Sequence, residues 1–322
     1  MKLLFELSGE NQTLPLAELE CAGTIIDHRL QVAVAECPDP SAIHRLAMTQ
    51  VVMEYLGECD ADTGSFRALL RDLAIVTSRS FAGRAKKVHG GSENINPCSQ
   101  REFENLIGTM ISGPVSLNNP DIEYRAILSE GRCYFGRVTD RIARSAYDTR
   151  NPGKRTFFHP GVMMPRMART LVNLSLAKEG DTVLDPFCGT GGILIEADLL
   201  GMQAIGGDFD PMMIGGCRQN LPGADLLLAD ATRLPFPDQS LDAIVTDLPY
   251  GQSVCIKKAD TMDNLYNDAL EQIKRVLKPG HRAVVVTHRD IADIACRHLT
   301  VLQKHDQRVH KSLTRRVLVL EA

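Results

Sequence analysis

The sequence lacks several features that would place it in a well-defined class. None of its apolar runs approaches the roughly 18 residues of a membrane-spanning helix, and the opening MKLLFELSGENQ is too short and too acidic for a signal peptide. Its nine cysteines are scattered, with no C-x-x-C pair among them. These absences predict a soluble cytoplasmic protein with free thiols, no structural zinc and no contact with a membrane.

The chain also lacks a strong excess of either charge. Its formal net charge is −4 over 322 residues, so a nucleic acid or an anionic surface would have to be bound by a local cationic patch. The hydrophobic content of 44% is high enough for sizeable buried cores. The length then favours about two or three folded domains.

The second half of the chain alternates strand-like and helix-like patterns. TVLDPF, MQAIGGDFD, ADLLLAD, LDAIVTD and RAVVVTH are typical of strands, and the segments GILIEADLLG, PMMIGGCRQN and MDNLYNDALEQIKRVL are typical of helices. This alternation predicts an α/β, Rossmann-like domain with a parallel sheet covered on both faces. The last 24 residues contain two strand-like stretches, which predict a hairpin that brings an antiparallel strand into the sheet.

The first half of the chain is more irregular and predicts one or two small α+β modules. The polar segment 143–159, ARSAYDTRNPGKRTFFH, is broken by Pro152 and Gly153. We therefore expect a linker there, between the first half and a catalytic domain over 160–322.

A glycine-rich turn follows the first strand of the second half, in VLDPFCGTGGILIEA, residues 183–197. Such a turn exposes backbone N–H groups to a ligand. A nicotinamide site would need a third glycine at the G-x-G-x-x-G spacing, and a phosphate loop would need a Lys-Ser/Thr pair; both are missing. The alternative is that the glycines only allow tight packing between strand and helix.

Acidic residues stand at the ends of three successive predicted strands: Asp185, Asp208 and Asp230. Each one alone could cap a helix or a turn. Together, and without cations to neutralise phosphates, they describe a nucleoside pocket that fits S-adenosylmethionine better than a dinucleotide. The predicted cofactor site comprises Asp185, Cys188, Gly189, Thr190, Gly191, Asp208, Phe209, Asp230, Ala231 and Asp247; no metal ligand is predicted. His159, in FFHPG, fits either the wall of this site beside Phe158 or a turn cap.

The fourth strand delivers Asp247, Leu248, Pro249 and Tyr250 in succession. An amino group on a nucleobase is a poor nucleophile, because its lone pair is delocalised into the ring. The Asp247 carboxylate and the Leu248 carbonyl could each accept one N–H, holding the nitrogen in line with a methyl donor. Pro249 would fix the turn, and the Tyr250 ring could stack on the base. The alternative is an ordinary proline turn after a strand.

DPFCGTGG together with TDLPYG resembles the amino-methylating class of S-adenosylmethionine-dependent methyltransferases. SFAGRAKKVHG, REFENLIGTMI, PVSLNNPDIEYRAIL and CYFGRV resemble a THUMP domain, a tRNA-binding module. FFHPGVMMPRMARTLVNLS and RVHKSLTRRVLVLE are similar to segments of the archaeal tRNA guanine-N2 methyltransferases that act at tRNA position 10. The resemblance covers nearly the whole chain and implies a ferredoxin-like module over 1–60 and a THUMP domain over 61–142. Leu248 departs from the family, which usually has proline there.

A cluster of cations could neutralise RNA phosphates despite the acidic total. In the run from Arg137 to Arg155, the acids are only Asp140 and Asp148. The predicted RNA-binding residues are Arg84, Lys86, Lys87, Arg137, Arg141, Arg144, Lys154 and Arg155. The alternative is a solvated surface.

These observations predict a tRNA guanine-N2 methyltransferase that adds one methyl group and then a second. One alternative keeps the fold but methylates another guanine of tRNA or ribosomal RNA. A second is a noncatalytic RNA-binding protein with a vestigial methyltransferase fold. A DNA amino-methyltransferase would not explain the THUMP-like half. The expected partner is tRNA; the resemblance also allows a small zinc-binding activator subunit, and otherwise we expect a monomer.

Overall fold

The computed structural model describes residues 1–90, 99–251, 261–311 and 313–322. Within them the chain forms two compact units, Met1–Ala143 and Arg144–Ala322. Each unit is built on its own seven-stranded sheet. In this part of the chain, no helix is long and apolar enough to cross a membrane.

The first unit combines one mixed sheet with short helices. Its strands are β1 (Lys2–Leu7), β2 (Thr24–Arg29), β3 (Val32–Glu36), β4 (Thr49–Asp60), β5 (Phe81–Lys87), β6 (Ile122–Ser129) and β7 (Arg132–Arg141). Its helices are α1 (Leu14–Glu18), α2 (Thr63–Leu73) and α3 (Gln100–Met110), with 3₁₀ helices at Leu19–Cys21 and Pro40–Arg45. The strand order is β2-β3-β1-β4-β7-β6-β5.

Helices α2 and α3 are defined by local capping. The Asp62 side chain accepts hydrogen bonds from the N–H groups of Gly64 and Ser65 at the start of α2, and Ser99 and Glu102 form a capping box at the start of α3. The apolar faces of both helices pack on the sheet in one buried cluster, which includes Phe66, Leu70, Phe81, Phe103, Ile107 and Phe135.

The predicted boundary at residue 60 lies within this single sheet. β4 and β7 pair from Val51 opposite Arg141 to Asp60 opposite Arg132. This ladder joins the region predicted as a ferredoxin-like module to the region predicted as a THUMP domain. The division into two modules therefore stays a prediction, while residues 1–143 form one compact unit.

The second unit has the predicted α/β architecture. Its strands are β8 (Thr182–Asp185), β9 (Gln203–Asp208), β10 (Asp225–Leu228), β11 (Leu241–Asp247), β12 (Leu277–Thr287), β13 (Thr300–His310) and β14 (Leu313–Glu321). Its helices are α4 (Ser145–Asp148), α5 (Pro165–Leu174), α6 (Gly192–Asp198), α7 (Pro211–Asn220), α8 (Met262–Val276) and α9 (Ala292–Ala295), with a 3₁₀ helix at Pro152–Lys154.

The strand order of the second sheet is β10-β9-β8-β11-β12-β14-β13. The first five strands in this order run parallel. β14 pairs antiparallel with both β12 and β13, so the predicted hairpin is confirmed. The parallel strands β8, β9 and β11 all end at the same edge of the sheet, which is where ligands bind in folds of this kind.

The segment 143–159 differs from the expected linker. From Arg144 onward it belongs to the second unit, and Tyr147 and Pro152 are buried. The N–H group of Phe157 donates to Oδ1 of Asn220 at 2.9 Å, and the Asn220 amide donates back to the Phe157 carbonyl at 3.0 Å. Arg150 pairs with Glu196 of α6. A polar sequence with proline and glycine thus packs onto the domain that follows it.

Candidate active site

The glycine-rich turn connects β8 to α6 in a conformation that needs glycine. Gly189 and Gly191 have φ angles of 50° and 84°, in the left-handed region. A Cβ atom on Gly191 would also lie 2.6 Å from Sγ of Cys217. The N–H group of Gly189 donates to Oδ2 of Asp208 at 2.9 Å, and Oδ1 of Asp208 accepts from the N–H group of Asp210. Asp208 therefore ties the turn to the end of β9.

A cavity of about 170 Å³ opens beside this turn. Its lining includes five of the predicted cofactor residues: Asp185, Cys188, Gly189, Thr190 and Asp247. The wall also contains the stretch from His159 to Met163, just before α5, together with Phe187, Gly192, Ile193 and Met213. His159 thus lies at the cavity, and its Nδ1 atom is also 2.9 Å from the Pro160 carbonyl oxygen. Phe158, its suggested companion, does not line the cavity.

The remaining predicted cofactor residues lie at the same sheet edge but outside the cavity lining. Phe209 is 55% exposed and Ala231 is buried. Oδ1 of Asp230 accepts from the N–H group and the hydroxyl of Thr232. This contact is the turn cap that the sequence allowed as the alternative to a ligand contact. Asp230 follows β10 by two residues, so it does not end that strand as expected.

Asp185 is a buried acid at the centre of the site. It is 2% exposed, and its Oδ1 atom accepts from the Thr246 hydroxyl at 2.7 Å and from the N–H group of Phe187 at 3.1 Å. Burial raises the pKa of Asp185 to about 8, with a further contribution from the charges of Asp208 and Asp247. Asp185 therefore joins the glycine turn to the strand that carries Asp247.

Asp247 ends β11 and is held by two neighbours. The Tyr250 hydroxyl donates to its Oδ1 atom at 2.6 Å, and Nε of Arg315 lies 3.8 Å from its Oδ2 atom. Burial raises the pKa of Asp247 to about 6, while the hydrogen bond from Tyr250 and the charge of Arg315 oppose that rise. The carboxylate is thus largely ionised at neutral pH, as a hydrogen-bond acceptor should be.

The backbone after Asp247 is fixed by contacts that the sequence did not reveal. The N–H group of Leu248 donates to the Val286 carbonyl at 2.9 Å, and the Leu248 side chain is 1% exposed. The Tyr266 hydroxyl donates to the Pro249 carbonyl at 2.6 Å. Leu248 therefore makes a backbone hydrogen bond that a proline at this position could not donate.

Tyr250 is more than a stacking surface. Its ring centroid is 5.0 Å from that of His288, while its hydroxyl bonds to Asp247. The sequence pointed to the ring and missed the hydroxyl, Arg315 and His288. The one signal for Arg315 was a pair of arginines directly before the continuous apolar run VLVL of the last strand.

Most of the predicted RNA-binding cations have acidic or carbonyl partners. Arg137 pairs with Glu54, Arg141 with Glu123 and Lys86 with Glu6. Nη2 of Arg84 donates to the Leu117 carbonyl at 2.5 Å. These partners are distant in sequence, so the local count of acids overstated the cationic excess. Lys87 is half-buried, while Arg144 and Lys154 are exposed.

Arg155 was predicted to belong to a cationic surface, but its guanidinium lies in the interior. Both terminal nitrogens of its guanidinium are buried, and burial lowers its pKa. A Cβ atom on Gly192, at the start of α6, would lie 3.3 Å from Nη1 of Arg155. Its Nε atom donates to the Arg150 carbonyl at 3.0 Å. Arg155 therefore packs inside the second unit.

Comparisons with known proteins agree with this architecture. A family model described as the RMKL-like methyltransferase domain matches residues 152–317. A tRNA (guanine(10)-N2)-dimethyltransferase of Methanothermobacter thermautotrophicus is 32% identical, over 100% of this chain and 99% of its own length. This chain belongs to the tRNA (guanine(10)-N2)-dimethyltransferase family. The family identified from sequence motifs is thereby confirmed.

Solved structures support the fold of this dimethyltransferase family member. TrmN from Thermus thermophilus matches with a TM-score of 0.53 and 23% identity, over 100% of this chain and 99% of the other. SMU.472, a putative methyltransferase complexed with SAH, matches with a TM-score of 0.50 and 14% identity, over 100% of this chain and 98% of the other. The fold of a class I methyltransferase, as predicted, is confirmed.

Proposed function

We propose that this chain transfers the methyl group of S-adenosylmethionine to the exocyclic N2 amine of guanosine 10 in tRNA, first once and then a second time. The observation that carries the proposal is Asp247. It is a largely ionised carboxylate at the end of β11, and it lines the same cavity as the glycine turn. The family relative is named for dimethylation at this nucleotide.

The residues around the cavity fit the methyl donor. A Cβ atom on Gly189 would meet no described atom within 4 Å, so the turn leaves room for a ligand. Asp185 lines the cavity, and Asp208 lies outside the lining but at the same edge of the sheet; their carboxyl groups could bond to the amino and hydroxyl groups of such a molecule. The described lining residues include no lysine or arginine, so nothing there would neutralise a phosphate. When bound, S-adenosylmethionine would supply an electrophilic methyl group on sulfur.

Asp247 and Leu248 would orient the target amine. In the first transfer, one N–H group would donate to the Asp247 carboxylate and the other to the Leu248 carbonyl, so that the nitrogen lone pair points toward the methyl carbon. In the second transfer, the one remaining N–H group would donate to Asp247. Formation of the N–C bond, with release of S-adenosylhomocysteine, would place positive charge on the nitrogen next to the Asp247 carboxylate, which would stabilise it. The proton then passes from nitrogen to Asp247 and on to solvent. The Tyr250 ring would stack on the base.

Asp208 provides a test of the cofactor site. Asp208→Ala should weaken binding of S-adenosylmethionine by about 1 to 3 kcal/mol, as for the loss of a hydrogen bond to a buried partner. Asp208→Asn is the matched control, because it still offers an oxygen to the Gly189 N–H group and should lose less. Isothermal titration measures both. Unchanged affinity in the alanine variant would remove Asp208 from the cofactor site.

The first unit would bind the tRNA, as the THUMP resemblance implies. Arg141, in the first unit, and Arg144, the first residue of the second unit, are both exposed. Although Arg141 pairs with Glu123, an ion pair at the surface is weak and can exchange for a phosphate. Reversing both charges to glutamate should weaken tRNA binding. It should also reduce the slope of log K against log salt by about 1 to 2, since each phosphate that is no longer neutralised lowers the slope by roughly 0.9.

The control for this prediction is a second pair of exposed arginines. Arg67 and Arg71 lie on α2, outside the predicted patch, and their reversal to glutamate should change the salt slope less. Equal slopes for the two double variants would assign Arg141 and Arg144 to a solvated surface. Both variants should bind S-adenosylmethionine like the wild type.

Mass-spectrometric mapping of tRNA methylated by the purified protein tests the function itself. We expect N2-methylguanosine and N2,N2-dimethylguanosine in the fragment that contains position 10. Methylation at another guanosine would retain the chemistry and change the target, whereas no methylation would favour a noncatalytic RNA-binding role. An activator subunit, a monomeric state and a cytoplasmic location remain predictions, and activity of the isolated chain tests the first of them.

A further inference from the structure

Arg315 lies beside the carboxylate that the proposed reaction uses. Its Nε atom is 3.8 Å from Oδ2 of Asp247 and donates to the Tyr250 hydroxyl oxygen at 3.4 Å. The Tyr250 hydroxyl donates in turn to Oδ1 of Asp247 at 2.6 Å. The three side chains form a closed ring of polar contacts in which each carboxylate oxygen has a neighbour.

The position of Arg315 on β14 explains its burial. Adjacent residues of a strand face opposite sides of the sheet. The neighbouring residues Arg315 and Arg316 therefore differ in exposure. Arg315 is 6% exposed, whereas the side chain of Arg316 is 39% exposed and pairs with Asp306. A buried guanidinium is costly without an ionised partner. Among the described residues, the acid that pairs with Arg315 is Asp247.

We propose that Arg315 is a positioning residue for methyl transfer, one that holds the Asp247 carboxylate and the Tyr250 hydroxyl in the arrangement that receives the target amine. The proposal rests on the proposed function of Asp247. The carboxylate is held by a hydrogen bond to Oδ1 and an ion pair at Oδ2, which restrict its rotation away from the line of transfer. Small misplacements of a reacting group lower the rate strongly. The positive charge also favours the ionised form of the carboxylate, which is the form that accepts an N–H group.

The surroundings of Asp247 set the expected pH dependence. Among the described residues, the titratable groups around it are Tyr250 on the same turn, Asp185 on β8 with Asp208 beyond it on β9, His159 and Cys188 at the same cavity, His288 after β12, and Arg315 on β14. Burial raises the pKa of Asp247 to about 6, and Tyr250 and Arg315 oppose the rise. Because a raised carboxyl pKa means protonation at higher pH, the wild-type rate should fall as the pH drops through about 6.

The first test is the pH profile of single-turnover methyl transfer to tRNA at saturating S-adenosylmethionine. Arg315→Gln should move the acid limb to higher pH by about 1 to 3 pH units, and its rate should approach that of the wild type at alkaline pH. Arg315→Lys keeps a charge without the guanidinium geometry, so its acid limb should stay closer to that of the wild type. Arg316→Gln, on the opposite face, should match the wild type throughout.

The second test needs no methyl acceptor. In protein labelled with ¹³C at aspartate side chains, Asp247→Asn identifies the Asp247 signal, and its titration is compared in wild type, Arg315→Gln and Arg315→Lys. A higher titration midpoint in Arg315→Gln, but not in Arg315→Lys, shows that Arg315 acts on the Asp247 carboxylate even if the wild type methylates no guanosine. In that case the proposed function alone fails.

Three results would overturn the role of Arg315. One is an Asp247 titration that is unchanged in Arg315→Gln. Another is a rate loss of the same size at every pH, with no movement of the acid limb. The third is a higher KM for tRNA with an unchanged single-turnover rate, which would make Arg315 an RNA contact instead. If Arg315→Gln does not fold, Arg315→Lys alone still tests the proposal. A shift of its acid limb by the full 1 to 3 pH units would contradict the proposal.

Discussion

Asp247→Ala should lower the single-turnover rate of methyl transfer by about 10² to 10⁴-fold, with little change in tRNA affinity. The interaction between the carboxylate and the amine strengthens only as positive charge develops on the nitrogen, so it stabilises the transition state and not the bound ground state. Because the Asp247 side chain also accepts a hydrogen bond from Tyr250, the alanine variant loses the orientation of that ring as well. Rapid-quench measurement at saturating cofactor and tRNA separates the chemical step from binding.

Matched variants divide this effect into its parts. Asp247→Asn keeps an acceptor for the amine and loses the charge, so its rate should lie between those of wild type and alanine. Tyr250→Phe keeps the ring and removes the hydroxyl that bonds to Asp247, so it should lower the rate less than Tyr250→Ala, which removes both. A wild-type rate in Asp247→Ala would reduce the Asp-Leu-Pro-Tyr stretch to a strand end followed by a turn.

Glu196→Ala should destabilise the second unit by about 3 to 5 kcal/mol, the usual result of removing one partner from a buried ion pair. Glu196 is 0% exposed and accepts from Nε of Arg150 at 2.7 Å and from Nε of Arg169 at 2.8 Å. Its loss leaves two partly or fully buried cations without their carboxylate. Such a loss is a large part of the typical 5 to 15 kcal/mol stability of a domain.

Urea unfolding followed by circular dichroism measures the stability change, since the chain has no tryptophan to serve as a fluorescent probe. Amide hydrogen exchange in peptides that span α5 and α6 tests whether the loss of stability lies in the second unit. Asp238→Asn is the control: Asp238 pairs with Arg275 but its side chain is 74% exposed, so the expected change is below about 1 kcal/mol. Equal effects of the two substitutions would show that the buried cluster contributes no more than a surface pair.

The sequence predicted the second unit well because its strands carry continuous apolar runs. The pattern LDAIVTD coincides with β11 and PMMIGGCRQN with α7, and both are bounded by local signals. In the first unit, the strand β2 carries no such run. Its residues TIIDHR alternate between exposed and half-buried positions at the edge of the sheet, so no apolar run marks it. Buried parallel strands leave a stronger pattern than an edge strand does.

The candidate site was predictable to the extent that it lies in consecutive residues. The glycine turn and Asp247 are local features, and the structure places them at one cavity. Arg315 and Tyr250 are 65 residues apart in sequence and meet only through the antiparallel strand β14. The cations of Arg137 and Arg141 were overrated for the same reason, because Glu54 and Glu123 reach them from neighbouring strands.

Replacement of guanosine 10 by inosine tests the central claim most directly. Inosine lacks the N2 amine and otherwise keeps the purine, so the change removes only the proposed acceptor. With a tRNA containing a single inosine at position 10 and radiolabelled S-adenosylmethionine, we predict tRNA binding close to that of the unmodified tRNA and no methyl transfer to that nucleotide. Methyl transfer at the unmodified rate would contradict the assignment of the N2 amine of guanosine 10 as the substrate.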